Sequence, residues 1–262
     1  MTMHTVGELL RQWRHRRRLS QLDLAIAADV SARHVSLVET GKTNPSADMV
    51  LRLAEQLDVP LRERNRLLLA AGFAPRYTER PLDDDALSAA RDAVARVLRA
   101  HEPYPALAFD RRWNIVMTNR AVEPFFADVD PDLLRPPANL VRLGLDPRGL
   151  ASLVVNLEDV RVMFRTRIRR QLAVAPSAEL TALYEELLAS TAGEAEAAGR
   201  SVASDVVIPM VLRLGGRELS LFSTITTFGT PMDLTLDEIA VESYYPADAE
   251  SAAYFEKSDG DA

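Results

Sequence analysis

Residues 19–57 read LSQLDLAIAADVSARHVSLVETGKTNPSADMVLRLAEQL. Ser20 and Asp23 stand in the S-x-x-D spacing of a capping box, and Leu22, Ala25 and Ala28 follow at helical spacing, so a short helix opens at Ser20 and stops near Asp29. Ser31 is a second N-cap, Val35 and Val38 give the inner face of another short helix, and Gly41 supplies the left-handed residue that closes it. Upstream, Val6, Leu9, Leu10 and Trp13 recur at i, i+3, i+4 and i+7, which makes a first helix running to about Arg18. Downstream, Pro45-Ser46 opens a fourth helix over Val50, Leu53, Ala54 and Leu57, and Pro60 opens a fifth with Leu61, Leu67 and Leu68 inside. No strand signal precedes Ala106. The chain therefore starts with a compact all-helical unit whose second and third helices are joined by a tight turn.

Two short helices in that arrangement form the pattern that lays its second member in a DNA major groove. The run from Leu19 to Leu57 resembles the XRE, lambda-repressor-type helix-turn-helix without a gap: Ser-Gln opens helix two, V-S opens the recognition helix, and E-T-G-K follows. The resemblance implies DNA contacts from Gln21, at the family position that bridges phosphate and base, and from Ser31, Ala32 and Arg33 at the start of the recognition helix. Arg33 has the fork that pairs with guanine O6 and N7, whereas Ala32 stands where several members carry Gln and offers a thymine methyl only apolar contact. His34, Ser36 and Leu37 lie on or beside the same face, and Thr40, Lys42, Thr43 and Asn44 in the following loop suit phosphates. Arg17, within the run Arg16-Arg17-Arg18, is a further phosphate candidate or part of a solvated charge run. Arg14 and Glu39 match the family's ion pair, a structural assignment.

Charge is divided along the chain in the same sense. The net charge of the 262 residues is -7, yet residues 1–80 hold 13 Lys and Arg against 9 Asp and Glu, while the remainder hold 18 against 29. A basic head on an acidic body suits a nucleic-acid module joined to a domain with another task. At 47% hydrophobic and 26% charged, the chain reads as a soluble protein of two domains. It has no Cys, which excludes disulfides, a thiol nucleophile and Cys-based metal sites. No apolar run approaches the roughly 20 residues that span a bilayer, and no signal peptide opens the chain, so a cytoplasmic location is expected, without membrane partners. The histidines His4, His15, His34 and His101 are scattered, without the order of a catalytic triad or a metal cluster, and the glycines form no phosphate-cradling loop. No enzymatic activity, metal or obligate cofactor is expected; a lone His101 before Glu-Pro reads as a helix-end residue rather than a haem ligand.

Beyond Gly72-Phe73-Ala74 the composition changes, and the expected organisation is a head over 1–74, a linker over 75–84, a second domain over 85–258 and a tail over 259–262. Leu87, Ala90, Val94, Val97 and Leu98 mark an amphipathic helix. Ala106 to Phe109 and Trp113 to Met117 read as strands, Asn119 to Phe126 as a helix, a PAS-like opening. Asn139–Leu143, Arg148–Val155, Leu157–Leu172 and Glu179–Ser190 read as helices, and 194–204 as a loop. Val206–Arg213 and Glu218–Thr227 form a hairpin about Gly215-Gly216, and Leu236–Tyr245 is a last strand. The fold class is an all-α head followed by an α+β PAS-like domain with an antiparallel sheet of about five strands.

Several stretches carry a second resemblance in order and spacing: P-Y-P-A-L from Pro103, W-N-I-V-x-x-N-R-A from Trp113, N-L-V-R-L-G-L-D-P-x-G-L from Asn139, F-S-T-I-T-T-F-G-T-P-M-D-L-T-L from Phe222 and E-S-Y-Y-P-A-D from Glu242. They are similar to the MmyB-like (MltR-type) ligand-binding domain that follows an XRE head in bacterial transcription regulators. The resemblance implies a homodimeric regulator, expected to be a repressor on an inverted-repeat operator, with a small apolar effector such as a fatty acid in the PAS-like pocket. Phe109, Trp113, Ile115, Leu140, Leu143, Phe164, Ile168, Phe222, Ile225 and Phe228 are the expected apolar lining, with Asn119, Arg142, Arg165 and Thr226 as candidates for a polar head. The other reading is a second domain that only dimerises or grips a protein partner, its interior filled by its own side chains.

Overall fold

The computed structural model describes residues 4–189, 209–229, 231 and 233–259. The chain folds as two units, one made of residues 1–80 with 231–237, the other of 81–230 with 238–262. In the first, α1 (Val6–Arg16), α2 (Gln21–Ala27), α3 (Ala32–Glu39), α4 (Ala47–Gln56) and α5 (Leu61–Ala70) follow one another. Four of the five start on a hydroxyl: Thr5, Ser20, Ser31 and Ser46 each accept a hydrogen bond from the N–H three residues on, which satisfies one of the donors a helix start leaves orphaned. Asp29, at φ 53°, makes the sharp turn between α2 and α3, and Gly41, at φ 69°, closes α3. Leu10, Trp13, Leu24, Val35, Val38 and Leu53 meet in the core. Gly7 permits the close approach of α1 to the end of α3, since a Cβ there would lie 2.3 Å from the Val38 carbonyl oxygen.

After α5 the chain is pinned back by the buried Asn65. Its Oδ1 accepts from the N–H groups of Arg76 (2.9 Å) and Tyr77 (3.1 Å), and its Nδ2 donates to the Tyr77 carbonyl at 2.7 Å. Thr78 and Arg80 then receive a segment from far along the sequence. The Leu234 N–H donates to the Thr78 carbonyl at 3.0 Å, the Thr78 hydroxyl donates to Asp233 at 3.0 Å, and the Thr235 hydroxyl donates to the Arg80 carbonyl. Leu234 and Asp233 are both buried. Sequence placed 231–237 within the second domain; a helical turn over Leu234–Asp237 instead completes the first unit.

The second unit is built on an antiparallel sheet in the order β2-β1-β5-β4-β3, with β1 (Ala106–Phe109), β2 (Ile115–Thr118), β3 (Met210–Leu214), β4 (Arg217–Thr227) and β5 (Ala240–Pro246). Gly215 and Gly216, both at positive φ, make the two-residue turn of the β3–β4 hairpin. Helix α6 (Ser88–Ala100) covers one face, with Val94 and Leu98 against Ala106, Ala108 and Val241. The other face packs on α7 (Glu123–Phe126), α9 (Leu140–Leu145), α10 (Leu157–Val174), α11 (Ala178–Leu187) and α12 (Ala249–Asp259), where the larger core lies, while the short α8 (Pro131–Leu134) buries no residue and lies beside α9.

Three expectations change. Residues 148–155 hold only a 3-10 turn at Leu150–Ser152, because the backbone there bonds to β3: the Val155 N–H to the Val211 carbonyl at 2.8 Å and the Arg213 N–H to the Leu153 carbonyl at 2.7 Å. The last strand begins at Ala240 rather than Leu236, residues 234–237 being helical. Helices α8 and α12 were not foreseen. The loop expected over 194–204 and the start of the strand at Val206 lie outside the described residues.

Candidate functional site

Helix α3 opens with one side chain, Arg33, in solvent. Arg33 is exposed, as are Ser31, Thr40, Lys42 and Asn44, while Ala32, His34, Ser36, Leu37 and Thr43 are half-buried. Several of these groups have local tasks. The Ser31 hydroxyl accepts from the His34 N–H at 3.1 Å, the Thr40 hydroxyl donates back to the Ser36 carbonyl at 2.7 Å, and Asn44 Nδ2 reaches the Ala71 carbonyl at 3.3 Å. The fork of Arg17 is taken by the end of α4, with Nε to the Leu57 carbonyl and Nη2 to the Asp58 carbonyl, both at 2.8 Å. It ties α1 to α4 and is not held toward α3. Arg33 and Lys42 are the exposed cations of α3 and the loop after it.

Behind this face one carboxylate fixes three helices. Glu39 accepts from Arg14 Nε at 2.6 Å and Arg14 Nη2 at 2.8 Å, and Gln21 Nε2 donates to it at 2.9 Å. Arg14 Nη1 also closes on the Leu19 carbonyl at 2.8 Å. Burial opposes the charge on Glu39, but the hydrogen bonds from Arg14 and Gln21 outweigh it and hold the carboxyl below its ordinary value; the same hydrogen bond raises Arg14. Gln21 is thus anchored through its amide at the start of α2, at the edge of the surface α3 offers.

In the second unit a cavity of about 60 Å³ lies between the sheet and α7, α9 and α10. Its wall is apolar: Leu107 and Leu221 from the sheet, Phe125 and Phe126 from α7, Leu140 and Gly144 from α9, Val160, Met163 and Phe164 from α10, with Met210, Leu212 and Tyr244 closing it. This is smaller than the roughly 150 Å³ that holds benzene in an engineered core. Room for anything larger would require side chains to move, and Met163 and Met210 are the unbranched, adaptable ones.

Of the expected lining, the structure brings Leu140 and Phe164 to this wall. Phe109 and Trp113 stack at 5.0 Å with Phe164 edge-on to Trp113, and Trp113 Nε1 donates to Gln171 at 3.0 Å, so the pair is core beside the cavity. Leu143 and Ile168 are fully buried, and Ile115 packs at the margin of that core. Phe222 lies on the opposite face: strand alternation turns it to stack on Tyr245 at 5.2 Å, while Leu221 and Ser223 face α10. Phe228 packs with the α6 cluster and Ile225 is exposed. Asn119 is a backbone pin rather than a head-group donor, accepting from the Ala106 N–H at 3.0 Å and donating to the Leu98 (3.2 Å) and Tyr104 (2.8 Å) carbonyls. Arg142 is spent on Glu186, two bonds of 2.5 Å, and Thr226 lies on the exposed end of β4. Sequence reading passed over Val122, Phe125, Phe126, Val160, Met163, Met210 and Tyr244, whose place is set by register and helix phase.

A capped helix pair that offers an arginine-bearing face, followed by a PAS-like sheet with an apolar interior, defines a DNA-binding transcription regulator with a ligand-binding domain. Residues 90–257 match the family model for the MmyB-like transcription regulator ligand binding domain, and residues 5–67 match a helix-turn-helix domain. The chain belongs to the MmyB-like transcription regulator family. No curated protein matches it. Among the described residues no helix is long and apolar enough to cross a membrane.

Proposed function

We propose that the protein is a cytoplasmic homodimeric repressor that binds an inverted-repeat operator through α3 and is controlled by a small apolar effector held in the second unit. The observation that supports it is the apolar cavity under the sheet of a chain whose first unit presents Arg33 and Lys42 around an exposed recognition helix. Arg33 reads guanine, Lys42, Thr43 and Thr40 hold phosphates, and Gln21, fixed by Glu39, bridges the two. Two such heads on a two-fold axis meet half-sites about 34–36 Å apart. The effector acts by binding one arrangement of the dimer better than another, since only differential affinity shifts an equilibrium. Single-chain lipids, fatty acids first among them by family resemblance, are the class to test.

Selection of bound sequences from random duplexes, followed by native mass spectrometry and denaturing extraction of the same preparation, tests this reading. A palindromic consensus and a dimer carrying an apolar molecule support it. A dimer that stays empty, and whose operator affinity no single-chain lipid alters, would leave the second unit as a dimerisation module.

A further inference from the structure

The chain passes between the units at Arg80-Pro81 and again at Asp237-Glu238, so Asp233–Asp237 belongs to the DNA-binding unit while Glu238 and Ile239, which follow it, belong to the sheet unit. Within the first unit that segment is held by hydrogen bonds. The Leu234 N–H donates to the Thr78 carbonyl, the Thr78 hydroxyl and Arg80 Nη1 (3.4 Å) donate to the Asp233 carboxylate, and the Thr235 hydroxyl donates to the Arg80 carbonyl. Asp233 Oδ1 also accepts from the Thr235 N–H at 2.9 Å, which caps the turn over Leu234–Asp237. That turn packs on α5, the helix whose Asn65 fixes Arg76 and Tyr77.

Within the second unit the continuation of the segment is anchored as well. Ile239 is buried in the cluster under α6, against which Leu82 and Phe228 also pack. Glu238 pairs with Arg111 at 3.3 Å, and the Arg111 carbonyl accepts from Gln171 Nε2 at 2.6 Å. Oε1 of the same amide accepts from Trp113 Nε1, and Trp113 stands edge-on to Phe164 of the cavity wall. Trp113 has φ 68°, a left-handed backbone that a bulky residue holds only when its surroundings impose it. The strands make a second connection: Thr227 faces Ala240 at the end where β4 and β5 are linked through the segment, and Leu221 and Tyr244 of the same strands line the cavity. Packed interiors of this kind switch between discrete arrangements instead of deforming continuously.

We propose that Asp233–Asp237 is the coupling element of the regulator. A guest that shifts Phe164 and Trp113 moves Gln171, Arg111 and Glu238, and the ends of β4 and β5, and so alters the hold of the segment on Thr78 and Arg80 in the DNA-binding unit. Resting on the reading of the cavity as the effector site, this coupling names how occupancy reaches DNA. By linkage, operator DNA changes the affinity for the guest by the same factor.

The test uses full-length protein, the selected operator duplex and decanoate as the probe. Operator affinity is measured with and without saturating decanoate, and decanoate affinity by calorimetry. In the parent, decanoate changes operator affinity by at least about fivefold. Thr78→Val removes the hydroxyl that holds Asp233, and Glu238→Gln removes the charge that holds Arg111. Each brings that factor below about twofold, while decanoate affinity and decanoate-free operator affinity stay within about twofold of the parent; Thr78→Ser keeps the parental factor. A merely structural role would lower stability in the variants and leave the factor unchanged. Hydrogen exchange of the parent, which needs no variant to fold, shows decanoate changing protection over 233–239 and 74–80. A parental factor retained in both variants, or exchange over 233–239 that bound decanoate leaves unchanged, overturns the coupling role and leaves the effector reading standing. Decanoate that does not bind, or that binds without changing the parent's operator affinity, defeats the effector reading for this probe and the coupling with it.

Discussion

Replacing Arg14 by Met leaves the Glu39 carboxylate buried against α1, α2 and α3 with only the amide of Gln21 to hold it. The side chains of Arg14 and Glu39 are 8% and 2% exposed, so water does not substitute for the missing fork. Two hydrogen bonds to the carboxylate and one to the Leu19 carbonyl disappear together. Breaking a buried pair from one side costs about 3–5 kcal/mol, against the roughly 4–13 kcal/mol that stabilise a unit of this size. The midpoint of thermal unfolding of the first unit falls by about 12 °C or more. Trp13 is the one tryptophan of that unit and is buried, so urea unfolding followed by its fluorescence in a Trp113→Phe background reads the effect directly. Replacing both partners, Arg14→Met with Glu39→Met, recovers most of the loss because no uncompensated charge remains. Because the Glu39 carboxyl lies below its ordinary value of 4.5, its contribution is complete above that pH and is lost as pH falls through the folded value; Glu39→Gln flattens the acid limb. A double variant as unstable as the two single losses combined would refute the account, as would an Arg14→Met variant within about 1 kcal/mol of the parent.

Three further outcomes follow from other contacts. Arg33→Ala weakens operator binding by about 1–3 kcal/mol and binding to unrelated duplex by less, as competitive gel shifts at fixed salt report; an equal loss on both removes Arg33 from base reading. Gly7→Ala places a methyl 2.3 Å from the Val38 carbonyl oxygen and 2.9 Å from that of Glu39, so α1 and α3 separate and the first unit loses about 1–3 kcal/mol, seen in the same urea assay. Asn119→Ala orphans the Ala106 N–H and the Leu98 and Tyr104 carbonyls, lowering the stability of the second unit by about 1–3 kcal/mol with little effect on DNA affinity; Trp113 fluorescence follows it.

The first unit was legible because its signals are local. Ser20, Ser31 and Gly41 mark helix ends within a turn of the residues they satisfy, and a 3.6-residue period needs only a dozen positions to show. The five-stranded sheet was legible for a similar reason at Gly215-Gly216, where the turn chemistry fixes the hairpin. The cavity was not. Which aromatic of β4 and its flank looks inward depends on pleat parity: Phe222 and Leu221 are neighbours in sequence and lie on opposite faces. Asn119 shows the same limit, since a buried amide that ties three backbone groups and one that awaits a ligand have the same letter. Residues 150–155 carry a helical pattern of apolar residues, yet a partner strand some sixty positions away takes their backbone.

The segment from Asp233 to Asp237 that closes the first unit alters how the molecule comes into being. Residues 1–80 leave the ribosome early, but Asp233, Leu234 and Thr235, which satisfy Thr78 and Arg80, follow only after the intervening 81–230. At about 5–20 residues per second that delay is roughly 8–30 s, during which the DNA-binding unit exists without its final piece. A gene truncated after codon 80 yields a head that never receives it, so the reader of DNA is finished only in a chain that also carries most of the ligand-binding domain.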